Sequence, residues 1–540
     1  MSSRVAGRTS DVIVIGAGHN ALASAGYLTR AGLSVTVLEA RERIGGGTQT
    51  EELTLPGFHH DTFSTGHPFL TSNPLFSGDE LGIIKDGLSY VGNDPTLVVP
   101  FPDGESVTFW CDQERTAAEF ARFSKRDSNA WLTFLEQWKG MRGEHFARLT
   151  NAPQDIDAHT GSMHEEAYKA MCDRSGVETI CDMFESDHVR GAMLWFGMVM
   201  VQPIDRPGTG IMPLAAPAEW RSGWINSIGG SVRLSEALAK IVRASRGTIV
   251  TGARVEKIIL ENGRAVGVRT DDGKDYRANR AIVSSAHFTT LPEMMPGVLP
   301  EPFIERTQNW RAGPSLLVIH LAVDENTRAR SVSGPVGAVL TGQSTVDGVI
   351  GNLNDIANGR LTTDAPWLFA ACSTWIDPSR APEGKGVLKL IAMVPYALDG
   401  DPTNWDEAKE EHADFLIEEY ARLVVNFKPG DELARCVFSP LDIERTNPGF
   451  YRGGPQGGEL LPDQMGANRP VKGWANYRLP VPGLYQTGSS THPGGTVSAW
   501  PGRHVARAVL EDIQMDWRKV MPGERPGMEP EIPVIDTSAL

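Results

Sequence analysis

The sequence predicts an α/β protein in which a parallel-sheet domain, built from separated stretches of the chain, is interleaved with an α+β domain. Three observations support this fold class. An apolar run near the start of the chain passes directly into a glycine-rich turn, at residues 11–26. A second strand-like run ends in an acid at residues 34–39. Near the other end, at residues 482–512, a short strand is followed by a glycine loop and a helix.

The first strand and its turn have the pattern of a phosphate-binding unit. Val12 to Ile15 is a short apolar run, typical of a buried parallel strand. Gly16 and Gly18 make a tight turn that lets backbone approach a pyrophosphate, and Ala21 stands where a third glycine is common. A helix from about Asn20 to Ala31 would direct its N-terminal amides at the phosphates.

The second strand supplies the acid that completes this unit. It runs from Ser34 to Glu39, and Glu39 lies 21 residues after Gly18, where an acid accepts a ribose hydroxyl. Gly32 ends the helix between the two strands. A glycine-rich turn in an ordinary α/β unit would explain the turn but not Glu39. The order of elements therefore predicts a Rossmann-like dinucleotide site.

The residues after Glu39 indicate which dinucleotide is bound. A simple nicotinamide domain would continue into a helix, whereas this chain has a second glycine cluster at Gly45 to Gly47. Such a loop lets backbone pass close to an extended ligand. Arg41 and Arg43 could neutralise phosphate or stack near an adenosine. The alternative is a flexible surface turn with two solvated arginines.

The C-terminal motif provides a second glycine-rich surface. A strand from Leu484 to Thr487 ends in Gly488, and Gly494 and Gly495 allow backbone to approach a flat ligand. A helix follows to about Asp512. Pro501 lacks the donor that a helix interior needs, so the helix is expected to begin near Ser498 or to kink.

These three motifs resemble the phytoene desaturase-like flavoproteins, including the branch of pyridine nucleotide-disulphide oxidoreductase domain-containing proteins, and more distantly the monoamine oxidase-type enzymes. The residues that carry the resemblance are Gly16 to Ala21, Leu38 to Gly46 and Gly488 to Val497. The resemblance implies FAD as the cofactor, with Glu39 on the ribose and the first glycine turn around the pyrophosphate. It also places residues 494–497 against the flavin ring. The predicted cofactor-binding residues are Gly16, Gly18, Asn20, Ala21, Glu39, Arg41, Gly46, Gly47, Thr48, Val255, Ala286, Gly488, Gly495, Thr496 and Val497.

Two positions depart from the family pattern. Many relatives carry an arginine after the glycine pair, whereas this chain has Gly47 and then Thr48. One phosphate or flavin contact is therefore in doubt. Trp500 occupies a place where relatives often have a small residue, which would wall off the flavin edge.

The central segment, residues 228–286, has the character of the same domain. It contains a helix at Leu234 to Ala244 and several strands, with a hairpin turn signal at Glu261 to Arg264. The resemblance places the backbone of Val255 beside the adenine, and Ala286 is a further candidate. The predicted discontinuous FAD-binding domain is 1–75, 227–289 and 476–540, and the substrate-binding domain is 76–226 and 290–475.

The second domain is predicted in less detail. We expect one long helix at Thr116 to Arg148, and strands at Leu316 to Ala322 and Val387 to Val394. The apolar run from Gly191 to Val201 is either a buried helix or part of a substrate tunnel. Residues 447–472, rich in Gly and Pro, predict a long loop near the cofactor.

Composition excludes several classes of function. The formal net charge of −16 disfavours nucleic acid and anionic membrane surfaces as partners. The five cysteines lack a CxxC pair or a zinc-site spacing, so neither a dithiol relay nor a metal site is expected. No run is long enough for a transmembrane segment. These features predict a cytoplasmic protein.

The candidates for catalysis are His492, His67 and Trp500. His492 and Trp500 belong to the motif expected at the flavin, and His67 follows the first cofactor segment. A histidine there could take a proton as a general base. The alternative for both histidines is a loop residue that bonds backbone.

Together these expectations describe an FAD-dependent oxidoreductase, a desaturase, dehydrogenase or oxidase. It would transfer hydride from a carbon of an apolar or cyclic small organic substrate to the flavin and form a C=C bond. Electrons would then pass to oxygen or a quinone, because no nicotinamide module is recognised. Alternatives are a flavin amine oxidase, a redox-neutral isomerase that uses reduced flavin, and a non-catalytic binder on the same fold. The last would be similar to the dissociation inhibitors of prenylated small GTPases. An oligomer is possible.

Overall fold

A computed structural model describes residues 9–156, 163–220, 222–331, 339–341, 345–523 and 532–536. The strands of this part of the chain are β1 Thr9–Ile15, β2 Val35–Leu38, β3 Thr50–Glu51, β4 His60–Asp61, β5 Tyr90–Asp94, β6 Leu97–Pro100, β7 Ser106–Phe109, β8 Asn226–Ser227, β9 Gly247–Val250, β10 Val255–Glu261, β11 Arg264–Thr270, β12 Asp275–Ser284, β13 Ser315–Val323, β14 Val339–Thr341, β15 Leu368–Cys372, β16 Gly386–Val394, β17 Glu432–Phe438, β18 Leu484–Gln486 and β19 Val534–Asp536.

The α-helices of the same residues are α1 His19–Arg30, α2 Pro74–Ser77, α3 Gln113–Ala121, α4 Lys125–Thr150, α5 Pro153–Ile156, α6 Glu165–Cys172, α7 Gly176–Met183, α8 Asp187–Met198, α9 Met212–Glu219, α10 Val232–Ala244, α11 Leu291–Met294, α12 Glu301–Gln308, α13 Val346–Ala357, α14 Trp405–Ala421, α15 Pro440–Thr446 and α16 Trp500–Asp512.

The first large sheet contains the predicted glycine-turn strand at its centre. Its order is β10-β11-β12-β1-β2-β9, and β18 pairs with β12. The pairs β12–β1, β1–β2, β2–β9 and β12–β18 are parallel. The β1 side chains alternate between two cores: Val12 and Val14 pack with α1, α10 and α16, whereas Ile13 and Ile15 pack on the other face. Parallel strands covered on both faces explain the continuous apolar run.

The second large sheet is mainly antiparallel, with the order β17-β13-β16-β15-β14-β6-β7. On β13, Leu317, Ile319 and Leu321 share a core with Leu416 of α14. The alternate residues Leu316 and Val318 therefore point to the opposite face of the sheet. Two small sheets, β19-β5-β8 and β3-β4, complete the strands of the described residues.

The arrangement confirms the α/β fold class, in which a Rossmann-like sheet is combined with a mixed second region. One predicted element differs: the helix expected at 116–148 is two helices, α3 and α4. The break occurs because Ser124 caps a new helix, with its hydroxyl accepting the Asp127 amide at 3.1 Å. The domain boundaries stay predictions, and residues 1–8 of the first predicted segment lie outside the described residues.

Candidate active site

The glycine turn at Gly16 to Gly18 lies against the glycine cluster at Gly45 to Gly47. Gly16 has a φ of +90°, and a Cβ there would be 2.2 Å from the Ser285 hydroxyl oxygen. Gly18 forms a backbone bridge with Gly45, and a Cβ at Gly46 would be 2.9 Å from the Gly18 Cα. Glycine is needed at 16 because of its positive φ and the Ser285 side chain, and at 18 and 46 because backbone passes directly over backbone.

The helix that follows the turn directs its N-terminus into a cavity of about 640 Å³. Helix α1 begins at His19, one residue before the predicted start, and Gly18 is its N-cap. The turn and the first helical turn, including Asn20 and Ala21, line the cavity. Free amides and the positive end of the helix dipole therefore face the space in which an anion would bind.

Glu39 ties the end of β2 to this turn. Its carboxylate accepts the Ala17 amide at 2.6 Å and the Arg41 amide at 2.9 Å, and both Glu39 and Arg41 line the cavity. Because a carboxylate has about four acceptor positions, two remain available for ribose hydroxyls. The Arg41 guanidinium donates to the Gln49 side chain and lies 3.6 Å from Glu51.

The C-terminal loop forms the facing wall of the same cavity. Gly488, Gly495, Thr496 and Val497 all line it. The Gly495 amide donates to the Gln456 carbonyl at 3.0 Å, and a Cβ on Gly495 would be 2.1 Å from the Pro455 oxygen. The two glycine motifs, far apart in sequence, therefore enclose one space.

The last helix, α16, begins at Trp500, so Pro501 falls in its first turn, where no amide donor is required. This agrees with the expectation of a start near Ser498. Gly502 lets α16 pack on α1, because a Cβ there would be 2.2 Å from the Asn20 oxygen.

The central segment contributes the predicted positions Val255 and Ala286, which also line the cavity. Gly46 and Gly47 do so as well. Thr48 does not: it is buried behind the loop, with its hydroxyl 2.7 Å from the Ser235 hydroxyl and 2.9 Å from the Gly45 oxygen.

The three predicted catalytic side chains do not line the cavity either. Trp500 is buried and donates from Nε1 to the Ser72 hydroxyl at 3.1 Å. His67 has its Nδ1 2.8 Å from the Tyr90 hydroxyl. Burial lowers the pKa of His67 and of His492 to about 3. Histidines with so low a pKa are weak bases.

A second part of the cavity is apolar; of its lining, the sequence had offered only the run Gly191 to Val201, with a substrate tunnel as one of two alternatives for that run. We call it the apolar wall; it consists of the lining residues within 63–69 and 199–224 and on or beside β13, β15 and β16. Its aromatic members are Phe63, Phe69, Trp220, Trp224, Trp367 and Phe369. No Asp, Glu, Lys or Arg belongs to the wall among the described residues.

Among the described residues, the charged lining side chains lie outside the apolar wall, and all but Glu293, on α11, belong to the segments where the cofactor is expected. They are Glu39, Arg41, Arg254, Glu256 and Glu293. The cavity therefore has one polar part and one apolar part.

Some lining residues could have been found from the sequence and others could not. The loop at 447–472 was predicted to lie near the cofactor, and Phe450, Pro455 and Gln456 do line the cavity. The run Gly191 to Val201 is mostly the buried helix α8, but its last residues, Val199 to Val201, reach the cavity. His19 stood in the glycine motif and also lines it. Burial lowers the pKa of His19 to about 4.

The residues present fit a dinucleotide cofactor. The turns leave no room for side chains, an acid follows the second strand, and a helix N-terminus faces the cavity. Two buried polar atoms of lining residues, Asn20 Oδ1 and Gln49 Nε2, have no hydrogen-bond partner within the described protein. Fold and site thus define a dinucleotide-binding protein whose cavity continues from a polar into an apolar part.

Comparison with known proteins specifies the cofactor. The sequence profile of the family described as flavin containing amine oxidoreductase matches residues 22–510. The chain belongs to this family, so it is an oxidoreductase with FAD as its cofactor.

Individual relatives extend the comparison over the length of the chain. A limonene dehydrogenase subunit of Castellaniella defragrans is 29% identical over 94% of this chain and 95% of its own. The lycopene-forming phytoene desaturase of Pantoea ananas is 25% identical over 93% and 99%. The resemblance to phytoene desaturase-like flavoproteins is confirmed.

Among solved structures, cyclohexylamine oxidase from Brevibacterium oxydans superposes with a TM-score of 0.60 at 16% identity. The match covers 94% of this chain and 99% of that one. It confirms the fold. Within the described residues no helix is both long and apolar enough to cross a membrane.

Proposed function

We propose that this protein dehydrogenates an uncharged, apolar organic substrate and converts a C–C bond to C=C. The apolar wall is the observation that carries this proposal: it combines aromatic side chains with aliphatic ones such as Val318 and Ile391 and contains no charged group among the described residues. Burying an ammonium there without a partner would be costly, which disfavours a protonated amine. The names of the dehydrogenase and desaturase relatives are in line with this chemistry.

The residues of the polar part would hold the cofactor. The glycine turns and the α1 N-terminus would bind the pyrophosphate, and Glu39 would accept hydrogen bonds from the ribose. Val255 and Ala286 would contact the adenine, and residues 495–497 would border the flavin. When bound, FAD supplies an acceptor for the hydride that the substrate loses.

The apolar wall orients the substrate and excludes water. Its aromatic and aliphatic side chains offer contact area, and its few polar groups, such as the Thr65 hydroxyl, carry no charge. Shape and apolar burial therefore dominate the selection of the substrate. The Met200 side chain adds an adaptable surface.

We infer that electrons leave to oxygen or a quinone and that the protein works in the cytoplasm. All five cysteines are free, as expected in a reducing compartment. One relative is named as a subunit, so a further chain could take part in the assembly.

Anaerobic bleaching of the flavin tests the substrate class. Holoprotein is mixed with limonene, phytoene or cyclohexylamine, and absorbance of the oxidised flavin is followed. Loss of absorbance with a hydrocarbon and none with the amine is expected. Bleaching by the amine alone would establish amine oxidation instead. If product forms only after the flavin has been reduced chemically, and the flavin stays reduced, the reaction is an isomerisation. Readmitting air, or adding a quinone, then identifies the acceptor.

A further inference from the structure

A buried lysine stands directly behind the cavity, in a position that the cofactor and substrate contacts do not explain. Lys389 lies on β16 and is 2% exposed. Its Nζ donates to the Asp61 carbonyl at 2.9 Å, to the Phe63 carbonyl, and to the Thr65 hydroxyl at 3.3 Å. Phe63 and Thr65 both line the cavity. The ammonium is thus hydrogen-bonded to the hydroxyl of Thr65, a residue that lines the cavity.

Within the part of the chain that the structure describes, no carboxylate forms an ion pair with this lysine. The Asp61 carboxylate, whose charge acts on Lys389, is already paired with Arg380 at 3.0 Å and accepts the Thr50 hydroxyl at 2.7 Å and the Ser231 amide at 2.9 Å. Arg380 and Asp61 are themselves 2% exposed. The direct partners of Lys389 among the described residues are therefore carbonyl and hydroxyl dipoles.

The two histidines near the lysine carry no charge. Burial lowers the pKa of His60 to about 3 and that of His320 well below its usual range, so both are neutral. Burial is also the largest influence on Lys389; the Asp61 charge opposes it and Arg380 adds to it. Together they lower the pKa of Lys389 from 10.5 to about 7. Lysines with this pKa exchange protons near neutral pH.

The geometry makes one of the three hydrogen bonds reversible. The Asp61 and Phe63 carbonyls can only accept, so they hold two N–H groups in either protonation state. The Thr65 hydroxyl can accept from an ammonium or donate to the lone pair of a neutral amine. A change of charge on Lys389 therefore reverses only its bond to the hydroxyl of Thr65, a residue that lines the cavity.

We propose that Lys389, acting through the Thr65 hydroxyl, accepts the proton that the substrate loses during dehydrogenation. The inference rests on the proposed function. One substrate carbon gives up a hydride to the flavin, and the C–H bond on its neighbour breaks so that its electron pair becomes the second bond of C=C. The released proton passes to the Thr65 oxygen as the Thr65 proton moves to Lys389 Nζ. The substrate thus loses two electrons and two hydrogens, which the flavin and lysine receive.

The pH profile of anaerobic flavin reduction tests this proton relay from substrate through Thr65 to Lys389. Limonene is the reductant, or phytoene if phytoene is the only hydrocarbon that bleaches the flavin. The wild-type rate should rise with pH through about 7, because only neutral Lys389 can take a proton. Thr65→Val should lower the rate by ~10²-fold, the usual contribution of a general base, and remove the inflection. Thr65→Ser keeps the hydroxyl and should restore both. Lys389→Arg stays protonated and should behave like Thr65→Val.

Unfolding gives a readout that needs no substrate. The pKa of Lys389 in the folded protein lies below 10.5, so the unfolded chain binds more protons between pH 7 and 10.5. The urea midpoint of the wild type should therefore rise with pH from 7 to 9 relative to that of Lys389→Met. If Lys389→Met does not fold, the rates of flavin reduction by Lys389→Arg, Thr65→Val and Thr65→Ser test the relay instead.

The outcomes separate the two proposals. If wild type is bleached but Thr65→Val keeps the rate and inflection, the relay is wrong and the proposed function stands. The relay is also wrong if the urea midpoints of wild type and Lys389→Met change by the same amount between pH 7 and 9. If no hydrocarbon bleaches wild type, the proposed function fails and the relay fails with it.

Discussion

At the residue scale, Glu39 performs two tasks with one carboxylate. It accepts the Ala17 and Arg41 amides and so fixes both the glycine turn and the loop after β2. It also lines the cavity, where it is expected to meet the ribose. Hydrogen bonds to a charged group contribute more than neutral ones, so both tasks are sensitive to its loss.

Glu39→Ala should weaken FAD binding. Loss of charge-assisted hydrogen bonds worth ~1.5–3 kcal/mol corresponds to a rise in Kd of roughly 10–100-fold. FAD titration of the apoprotein by fluorescence measures this. Glu42→Ala, at an exposed position that does not line the cavity, is the matched control and should leave Kd unchanged. Equal Kd values for the two variants would mean that Glu39 does not bind the ribose of FAD.

Gly16→Ala and Gly32→Ala separate strain from steric clash. The φ angles are nearly equal, +90° and +92°, but a Cβ at Gly16 meets the Ser285 hydroxyl, whereas one at Gly32 meets nothing within 4 Å. Left-handed backbone costs an alanine ~1–2 kcal/mol in both variants. Only Gly16→Ala should also lower FAD affinity, and its Tm should fall further than that of Gly32→Ala. Equal losses would mean that the turn tolerates a side chain.

At the element scale, two loops that border the cavity are clamped by one buried arginine. Arg469 is fully buried and donates to the carbonyls of Gln456, Glu459, Gln464, Ser489 and Thr491. The acceptors come from the loop after α15 and from the C-terminal glycine loop. Burial lowers the pKa of Arg469 to about 9, which still leaves it charged at neutral pH.

Arg469→Met should release this clamp. Several buried carbonyls would lose their donor, so unfolding free energy should fall by ~3 kcal/mol or more, and FAD affinity should fall as well. Arg233→Met, on the exposed face of α10, removes an ion pair worth little and is the control. Urea unfolding and FAD titration measure both effects. A loss no larger than that of the control would contradict the clamp.

Elements differed in how well the sequence predicted them. Strand β1 and helix α1 were predicted closely, because glycine and acid positions constrain backbone locally. The helix expected at 116–148 was wrong in its continuity, because apolar periodicity persists across the Ser124 cap. The long loop at 447–472 was identified as functional by its composition, but the clamp by Arg469 gave no signal in the sequence.

At the scale of the whole molecule, the cavity lies between the glycine motifs of the first sheet and one face of the second sheet. Strand β13 separates the cavity from the core: Val318 lines the cavity, and Leu317 and Ile319 pack with α14. One strand therefore has two kinds of apolar position with different tasks.

Val318→Thr and Val323→Thr test this division. Both place a hydroxyl at a buried position of β13, which costs ~1–3 kcal/mol without a partner. Only Val318 lines the cavity, so only Val318→Thr should raise the limonene concentration needed for half-maximal flavin reduction. Stability should fall in both. If Val323→Thr raises this limonene concentration as much as Val318→Thr does, the apolar wall does not bind the substrate.

The sequence by itself determined where the glycine turns, the acid at 39 and the C-terminal motif stand, because these act through backbone geometry over short spans. Only the tertiary structure brought them around one cavity and decided its apolar chamber and the position of Lys389. The strands of the chamber are apolar on both faces, so their pattern does not show which side faces a ligand. The contact between Lys389 and Thr65 joins residues 324 positions apart, which no local pattern can encode.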